Sequence, residues 1–194
     1  LYIVNGEPLI HRVVRVGLGS NADEVILVFG YEGERIKKAV TDLSMNPKLR
    51  MVYNSNYELG MSTSVKAGLS HVLGRAGAVM FLPADVCLIS CKPINILLSE
   101  YFIKRPLIAI ASYKGRKGHP ILFDKALFSE IMQMREESFG LKNVISKYRH
   151  EVLCVDVDEE EVLVDIDSPE ELEEYIKKKR GFTDVDVGPI IDFL

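Results

Sequence analysis

Glu24-Val25-Ile26-Leu27-Val28-Phe29, closed by Gly30, is an apolar run behind one acid, rich in β-branched residues and too short for a helix. Apolar on both alternating faces, it predicts a strand buried on both sides, as in parallel sheets covered by helices. Upstream, Asn5-Gly6 marks a turn and Pro8 stands where a first helical turn tolerates it. Leu9, Ile10, Val13, Val14 and Val16 then form one apolar helical face, ending at the breaker of residues 17–20. Downstream, a polar helix over residues 34–43 precedes a short strand, Met51-Val52-Tyr53, and Ser62 reads as the N-cap of a helix reaching residue 73. Residues 78–82 form the third clear strand, followed by a helix over 93–102 and a strand over 107–111. Strands alternate with helices, which predicts an α/β fold with a mostly parallel sheet between two helical layers.

Beyond residue 111 the order loosens. The sequence predicts a basic loop over 114–118, a strand over 121–123, helices over 126–135 and 141–148, and late strands over 152–157 and 162–164. The final helix is the best marked: Ser168-Pro169-Glu170-Glu171 supplies an N-cap, a proline at the first position and a capping-box glutamate, and residues 177–181 a basic last turn and a glycine stop. One domain over residues 1–181 is expected, with an apolar tail over 182–194 that docks on the domain or on another subunit.

The chain has 194 residues, 47% hydrophobic and 27% charged, with a formal net charge of −4, so bulk electrostatics give no hold on nucleic acid or an anionic membrane. No apolar stretch reaches the roughly 18 residues a span requires, and the N-terminus lacks the marks of a secretory signal. Cys87, Cys91 and Cys154 show no zinc spacing and read as reduced thiols, so the expected location is cytoplasmic. Met45, Met51 and Met61 read as core fillers, and Glu159-Glu160-Glu161 as a solvated turn.

In open α/β sheets, ligands bind beyond the carboxyl ends of the strands, which selects a few polar places. Asp85 follows the third strand, where a carboxylate either holds a divalent cation or caps a turn. Asp165 and Asp167, two residues apart before a helix, either share a cation or complement the helix dipole. Gly60-Met61-Ser62-Thr63-Ser64 is a hydroxyl-rich turn suited to a phosphate or a nucleobase edge, with ordinary capping as the alternative. Lys114-Gly115-Arg116-Lys117-Gly118-His119-Pro120 gathers cations in an acidic chain, as an anion grip with Arg116 bidentate or as a solvated turn.

Taken together these segments resemble the MobA-like nucleotidyltransferases, in particular their molybdenum cofactor cytidylyltransferase branch. The resemblance rests on Asn5-Gly6-Glu7-Pro8-Leu9-Ile10, on Tyr53-Asn54 and Gly60 through Leu69, and on Pro83-Ala84-Asp85 with Ile89-Ser90, where Cys87 replaces the usual proline. Gly118-His119-Pro120-Ile121-Leu122-Phe123 and Asp165-Ile166-Asp167-Ser168-Pro169-Glu170-Glu171-Leu172 complete it. The family's Gly-rich loop would fall immediately before Leu1, so a strand and loop are expected upstream.

The resemblance implies a three-layer, Rossmann-like nucleotidyltransferase fold. It implies transfer of CMP from CTP to a phosphorylated acceptor, the molybdopterin cofactor, with Mg²⁺. Asp85 and Asp167 would be catalytic and hold the metal, with Asp165 beside them; Gly60, Met61, Ser62, Thr63, Ser64 and Gly30 would take the nucleotide; Arg116, Gly118, His119 and Pro120 would face the acceptor. It further implies a possible molybdoenzyme partner and a monomer or weak homodimer. A GTP-using or sugar-phosphate enzyme of the same fold, and a non-catalytic cofactor-binding accessory protein, are the alternatives.

Overall fold

The computed structural model describes residues 3–4, 6–138 and 140–180. A two-residue hairpin pairs β1 (Ile3–Val4) with β2 (Glu7–Pro8) and leads into α1 (Leu9–Leu18). Then follow β3 (Val25–Phe29), α2 (Gly33–Ala39), β4 (Leu49–Tyr53), α3 (Met61–Ser70), β5 (Ala78–Phe81), α4 (Cys91–Lys104) and β6 (Ile108–Tyr113). The chain continues through β7 (Arg116–Asp124), α5 (Phe128–Gln133), α6 (Leu141–Lys147), β8 (Val152–Asp156) and α7 (Pro169–Arg180).

β3 and β4 pair in parallel, and a second sheet runs β5-β7-β6-β8. β5, β6 and β8 share one direction, and only β7 opposes its neighbours. The mostly parallel sheet predicted from the alternation is therefore present, with one reversed strand created by the β6–β7 hairpin.

Alternation along β6 shows the layers. Ile108 and Ile110 join a core with Leu69 of α3, Ile131 of α5 and Val144 of α6, whereas Ala109 and Ala111 face Leu97 and Tyr101 of α4. Fully buried side chains such as Leu69, Leu97 and Phe123 each contribute about 1.5–3 kcal/mol. α1 and α3 also cover β3: Leu27 and Phe29 pack with Val14 of α1, and Val28 lies against Gly68 of α3, where a Cβ would stand 3.0 Å from a valine methyl.

The same two helices flank β5: Val16 of α1, Ala78 and Met80 border one core cluster, while Val79 and Phe81 pack against the cluster that holds Leu69 of α3. Yet β3 and β5 are not paired with each other. The Val25 N–H bonds to Lys48 and the Phe29 carbonyl accepts from Asn54, so the odd-numbered β3 residues face β4 and the peptide groups of Ile26 and Val28 face away. The Gly77 carbonyl accepts from Lys125 on the β7 side, which leaves those of Ala78 and Met80 facing away in the same manner. None of the four β5 residues is fully buried, despite a helix on each face.

Several expectations are corrected. Residues 162–164 are not a strand: Glu160–Leu163 is a 3-10 turn, fitted against Gly118, whose missing Cβ would stand 2.0 Å from the Val162 carbonyl oxygen. The loop over 114–118 is mostly strand, because Lys114 and Gly115, both with positive φ, make a two-residue hairpin turn and β7 starts at Arg116. The polar helix ends at Ala39, before a separate 3-10 turn, Thr41–Leu43. Pro8 precedes α1 and belongs to β2. Met45 and Met61 are exposed, at 89% and 67%, and are not core. The tail over 182–194 lies outside the described residues. No helix among the described residues is long and apolar enough to cross a membrane.

Candidate functional site

β5 ends at Phe81, and the chain turns through Leu82-Pro83-Ala84 to Asp85. Antiparallel pairing of Phe81 with Ile121 brings the start of β7, with His119, alongside this turn. The Ile166 N–H donates to the Asp85 carbonyl at 3.1 Å, which draws the segment carrying Asp165 and Asp167 onto the same edge. Close packing of Gly118 on Val162 anchors that segment one turn earlier. From the opposite side Arg12 of α1 donates to the Cys87 carbonyl at 2.9 Å.

Asp165, Asp167 and His119 thus come within electrostatic reach of Asp85, and Asp165 within that of His119. The Asp85 carboxyl is pushed above its ordinary range, first by burial and then by the charge of Asp165, with Asp167 adding to it. Burial lowers the His119 imidazole below its ordinary value, although Asp165 and Asp85 pull it upward. Asp85 Oδ1 and His119 Nδ1 are buried without a hydrogen-bond partner. A buried polar atom with no partner costs about 1–3 kcal/mol, so this edge is left unfinished by the chain itself.

Among the described residues no group of three or more His, Cys, Asp or Glu side chains could by itself hold a metal ion. A magnesium ion needs fewer: one or two carboxylates suffice when phosphates and water complete the shell. The orphaned Asp85 oxygen and the crowding of like charges fit such an ion.

The second place is the start of α3. Ser62 is the second helical residue, not the N-cap, because Gly60 holds that position at φ +102°, a conformation that favours glycine. The buried Asn54, just after β4, organises the turn: its Nδ2 donates to Thr63 Oγ1 at 2.8 Å and Ser64 Oγ at 3.0 Å, and its Oδ1 accepts from Asn56 N–H. Thr63 Oγ1 in turn lies 2.8 Å from the Gly60 carbonyl. The Ser62 N–H donates to Glu136 at 2.7 Å.

The remaining sequence-selected residues divide. Gly30 lies under Tyr57, where a Cβ would meet the ring at 2.3–2.6 Å, so its evident task is steric. Arg116 is exposed at the start of β7, while Pro120 is buried behind His119. Met61 is exposed beside the α3 turn.

The acids read as a solvated turn have partners instead. Glu159 accepts from the Ser90 N–H at 3.0 Å and from the Ser90 hydroxyl, at the start of α4. Glu160 and Glu161 both meet Lys179 at 3.0 Å. Asn54 and Glu136 were missed as site residues; a polar residue directly after a strand could have flagged Asn54, whereas nothing local marks Glu136, 74 residues from Ser62.

A family model described as a MobA-like NTP transferase domain matches residues 1–152. Comparison with curated proteins finds no match. Among solved structures, the Mycobacterium sp. strain JC1 homologue of Mycobacterium tuberculosis Rv0371c is similar with TM-score 0.75 and 20% identity, over 92% of this chain and 86% of that one. The manganese complex of Rv0371c from M. tuberculosis H37Rv gives 0.72 and 16%, over 91% and 90%. A 4-diphosphocytidyl-2C-methyl-D-erythritol synthase from Anaerococcus prevotii DSM 20548 gives 0.74 and 15%, over 92% and 88%. At these identities the likeness is one of fold.

Proposed function

The chain belongs to the MobA-like NTP transferase domain family, and from that premise we propose that it transfers CMP from CTP to a phosphorylated acceptor, the molybdopterin cofactor, releasing pyrophosphate. The observation that carries the reading is the convergence of Asp85, Asp165, Asp167 and His119 around a buried carboxylate oxygen without a partner. A terminal phosphate oxygen of the acceptor attacks the α-phosphorus, and the bond to the bridging oxygen breaks as pyrophosphate leaves with the electron pair. Such a step is catalysed by positioning and charge neutralisation, with no covalent enzyme intermediate.

Asp85 and Asp167, with Asp165 beside them, would hold Mg²⁺, which when bound neutralises phosphate oxygens. Gly60, Met61, Ser62, Thr63 and Ser64 take the nucleotide, with Gly30 behind them. Arg116, Gly118, His119 and Pro120 face the acceptor, and His119, neutral through burial, offers it an uncharged ring nitrogen. The diphosphocytidyl product in one neighbour's name supports a cytidyl group, and another neighbour's manganese supports a divalent ion.

Among the described residues, β3 and β5 each keep an unpaired edge beneath the same two helices. A cytoplasmic location, delivery to a molybdoenzyme, and a monomer or weak homodimer complete the reading.

The test is a thermal-shift titration with CTP, GTP, ATP and UTP, each with and without Mg²⁺, followed by a pyrophosphate-release assay with phosphorylated acceptors. A Mg²⁺-dependent shift with CTP is the expected result. A shift confined to GTP would replace the cytidyl assignment, and no shift with any nucleotide would leave a non-catalytic cofactor-binding protein.

A further inference from the structure

The first turn of α3 is closed by a carboxylate from a distant part of the chain. Glu136, in the 3-10 turn Glu136–Ser138, accepts from the Ser62 N–H at 2.7 Å. Gly60 lets the same side chain lie directly on its Cα, since a Cβ there would stand 2.5 Å from the Glu136 carboxyl carbon. Beside this contact opens a cavity of about 550 Å³ whose lining includes Ser62, Thr63, Lys66, Arg135, Glu136 and Glu137. The hydrogen bond from Ser62 holds the Glu136 carboxyl below its ordinary range, so it is anionic at neutral pH.

Free N–H groups at a helix start suit phosphate. Here the Ser62 N–H already meets an anion, and a phosphate arriving at the turn would displace Glu136 or face its charge. Lys66 and Arg135 add positive charge to the cavity wall, yet neither supplies the convergent backbone donors that phosphate uses at a helix start. Thr63 Oγ1 and Ser64 Oγ are committed to the Asn54 amide as acceptors. What the cavity offers at this end is a fixed carboxylate acceptor.

Resting on the nucleotidyl-transfer reading above, we propose that Glu136 determines specificity: it closes the α3 turn to phosphate and presents its carboxylate to a neutral, hydrogen-bond-donating group of the nucleotide. That group is a ribose hydroxyl or an exocyclic amino group of the base. The nucleoside end therefore lies at α3 and the triphosphate extends away from it.

The test is titration calorimetry of the full chain with CTP, UTP, 2′-deoxy-CTP and inorganic tripolyphosphate in Mg²⁺, for the wild type and Glu136→Gln. The amide oxygen of glutamine still accepts from Ser62, so the turn keeps its cap, and an unchanged melting temperature checks this. The variant is expected to lose about tenfold or more in CTP affinity, as for a charged acceptor replaced by a neutral one, and to keep or gain affinity for tripolyphosphate. A CTP preference over UTP that disappears in the variant assigns the donor to the base, and a preference over 2′-deoxy-CTP that disappears assigns it to the ribose. Equal loss for CTP and tripolyphosphate, or no loss for CTP, overturns the proposal. Failure of the nucleotidyl-transfer reading looks different: the wild type binds no nucleoside triphosphate, while gain of tripolyphosphate binding in Glu136→Gln still supports phosphate exclusion.

Discussion

At the α3 turn, Asn54, Thr63, Ser64 and Glu136 all have partners within the chain, whereas beyond β5 the chain buries Asp85 Oδ1 and His119 Nδ1 with none. Both places lie past the carboxyl ends of strands, β4 for the α3 turn and β5 for the Asp85 edge, but their polar groups are in opposite states. The α3 turn is finished before any ligand arrives, so it can present a fixed surface and discriminate shape and hydrogen bonding. The Asp85 edge is crowded with like charge and leaves Asp85 Oδ1 and His119 Nδ1 unbonded, so a cation would complete it. Perturbed groups of this kind cluster at functional sites.

Substitution should separate the two places by the sign of the stability change. Asp85→Asn is expected to lower turnover by about 100-fold or more, the scale of losing one group that supports charge in the transition state. The same change should raise the melting temperature in the absence of divalent ions, because it removes a buried charge and its repulsion with Asp165. Pyrophosphate release and calorimetric melting read the two effects, and a fall in both would break the contrast. Asn54→Ala, in the finished turn, should instead cost about 2–3 kcal/mol of stability by stranding Thr63, Ser64 and the Asn56 N–H. Urea unfolding measures it, and a cost below about 0.5 kcal/mol would show that the turn does not depend on this amide.

The strands beneath the two places differ as well. β5 belongs to a four-stranded sheet, while among the described residues β3 has only β4 as a partner. Backbone hydrogen exchange should therefore alternate along both strands, with the amides of Ile26, Val28, Ala78 and Met80 exchanging at least about tenfold faster than those of Leu27, Phe29, Val79 and Phe81. Protection of all eight in the chain as it stands would mean that the edges find a partner, and size-exclusion chromatography would show whether a second copy supplies it.

Much of this architecture was legible because burial imposes a period. Strands apolar on both faces, such as residues 25–29, and helices with one apolar stripe, such as residues 9–18, carry their environment in local composition. Asp85, Asp165 and Asp167 could be singled out by position past a strand or before a helix, but turn capping and the helix dipole favour acids there too, so only the fold shows that they converge. What local pattern could not supply was pairing at a distance. Val162 to Val164 alternates like a strand, but the space left by Gly118 takes it as a 3-10 turn. The cap of α3 comes from Glu136, and that of α4 partly from Glu159, 69 residues after Ser90. Such caps depend on where the fold returns the chain, and no short window of sequence contains both partners.

The smallest expected effect sharpens the contrast through α1, the helix that touches both β3 and β5. His11 Nδ1 meets Glu7 of β2 at 2.7 Å and its Nε2 meets Asp42 at 2.9 Å, in the turn after α2, so the second contact ties α1 to the β3–β4 side. Burial alone would lower the His11 value, but the hydrogen bonds to Asp42 and Glu7 outweigh it and raise it above 6.5. A raised histidine contributes stability that is complete below its unfolded value and is lost as pH rises through the folded one. Glu7, drawn down from 4.5 to about 2 mainly by Arg15, contributes in the opposite sense, complete above 4.5 and lost as pH falls toward 2. Both contributions coexist between about 4.5 and 6.5, so this corner should be tightest there and loosen on either side. His11→Gln should lower the melting temperature by a few degrees inside that window, should hardly change it well above the raised His11 value, and should speed exchange in β3 before β5. An equal loss at all pH values would show that packing of the ring, and not its charge, makes the tie.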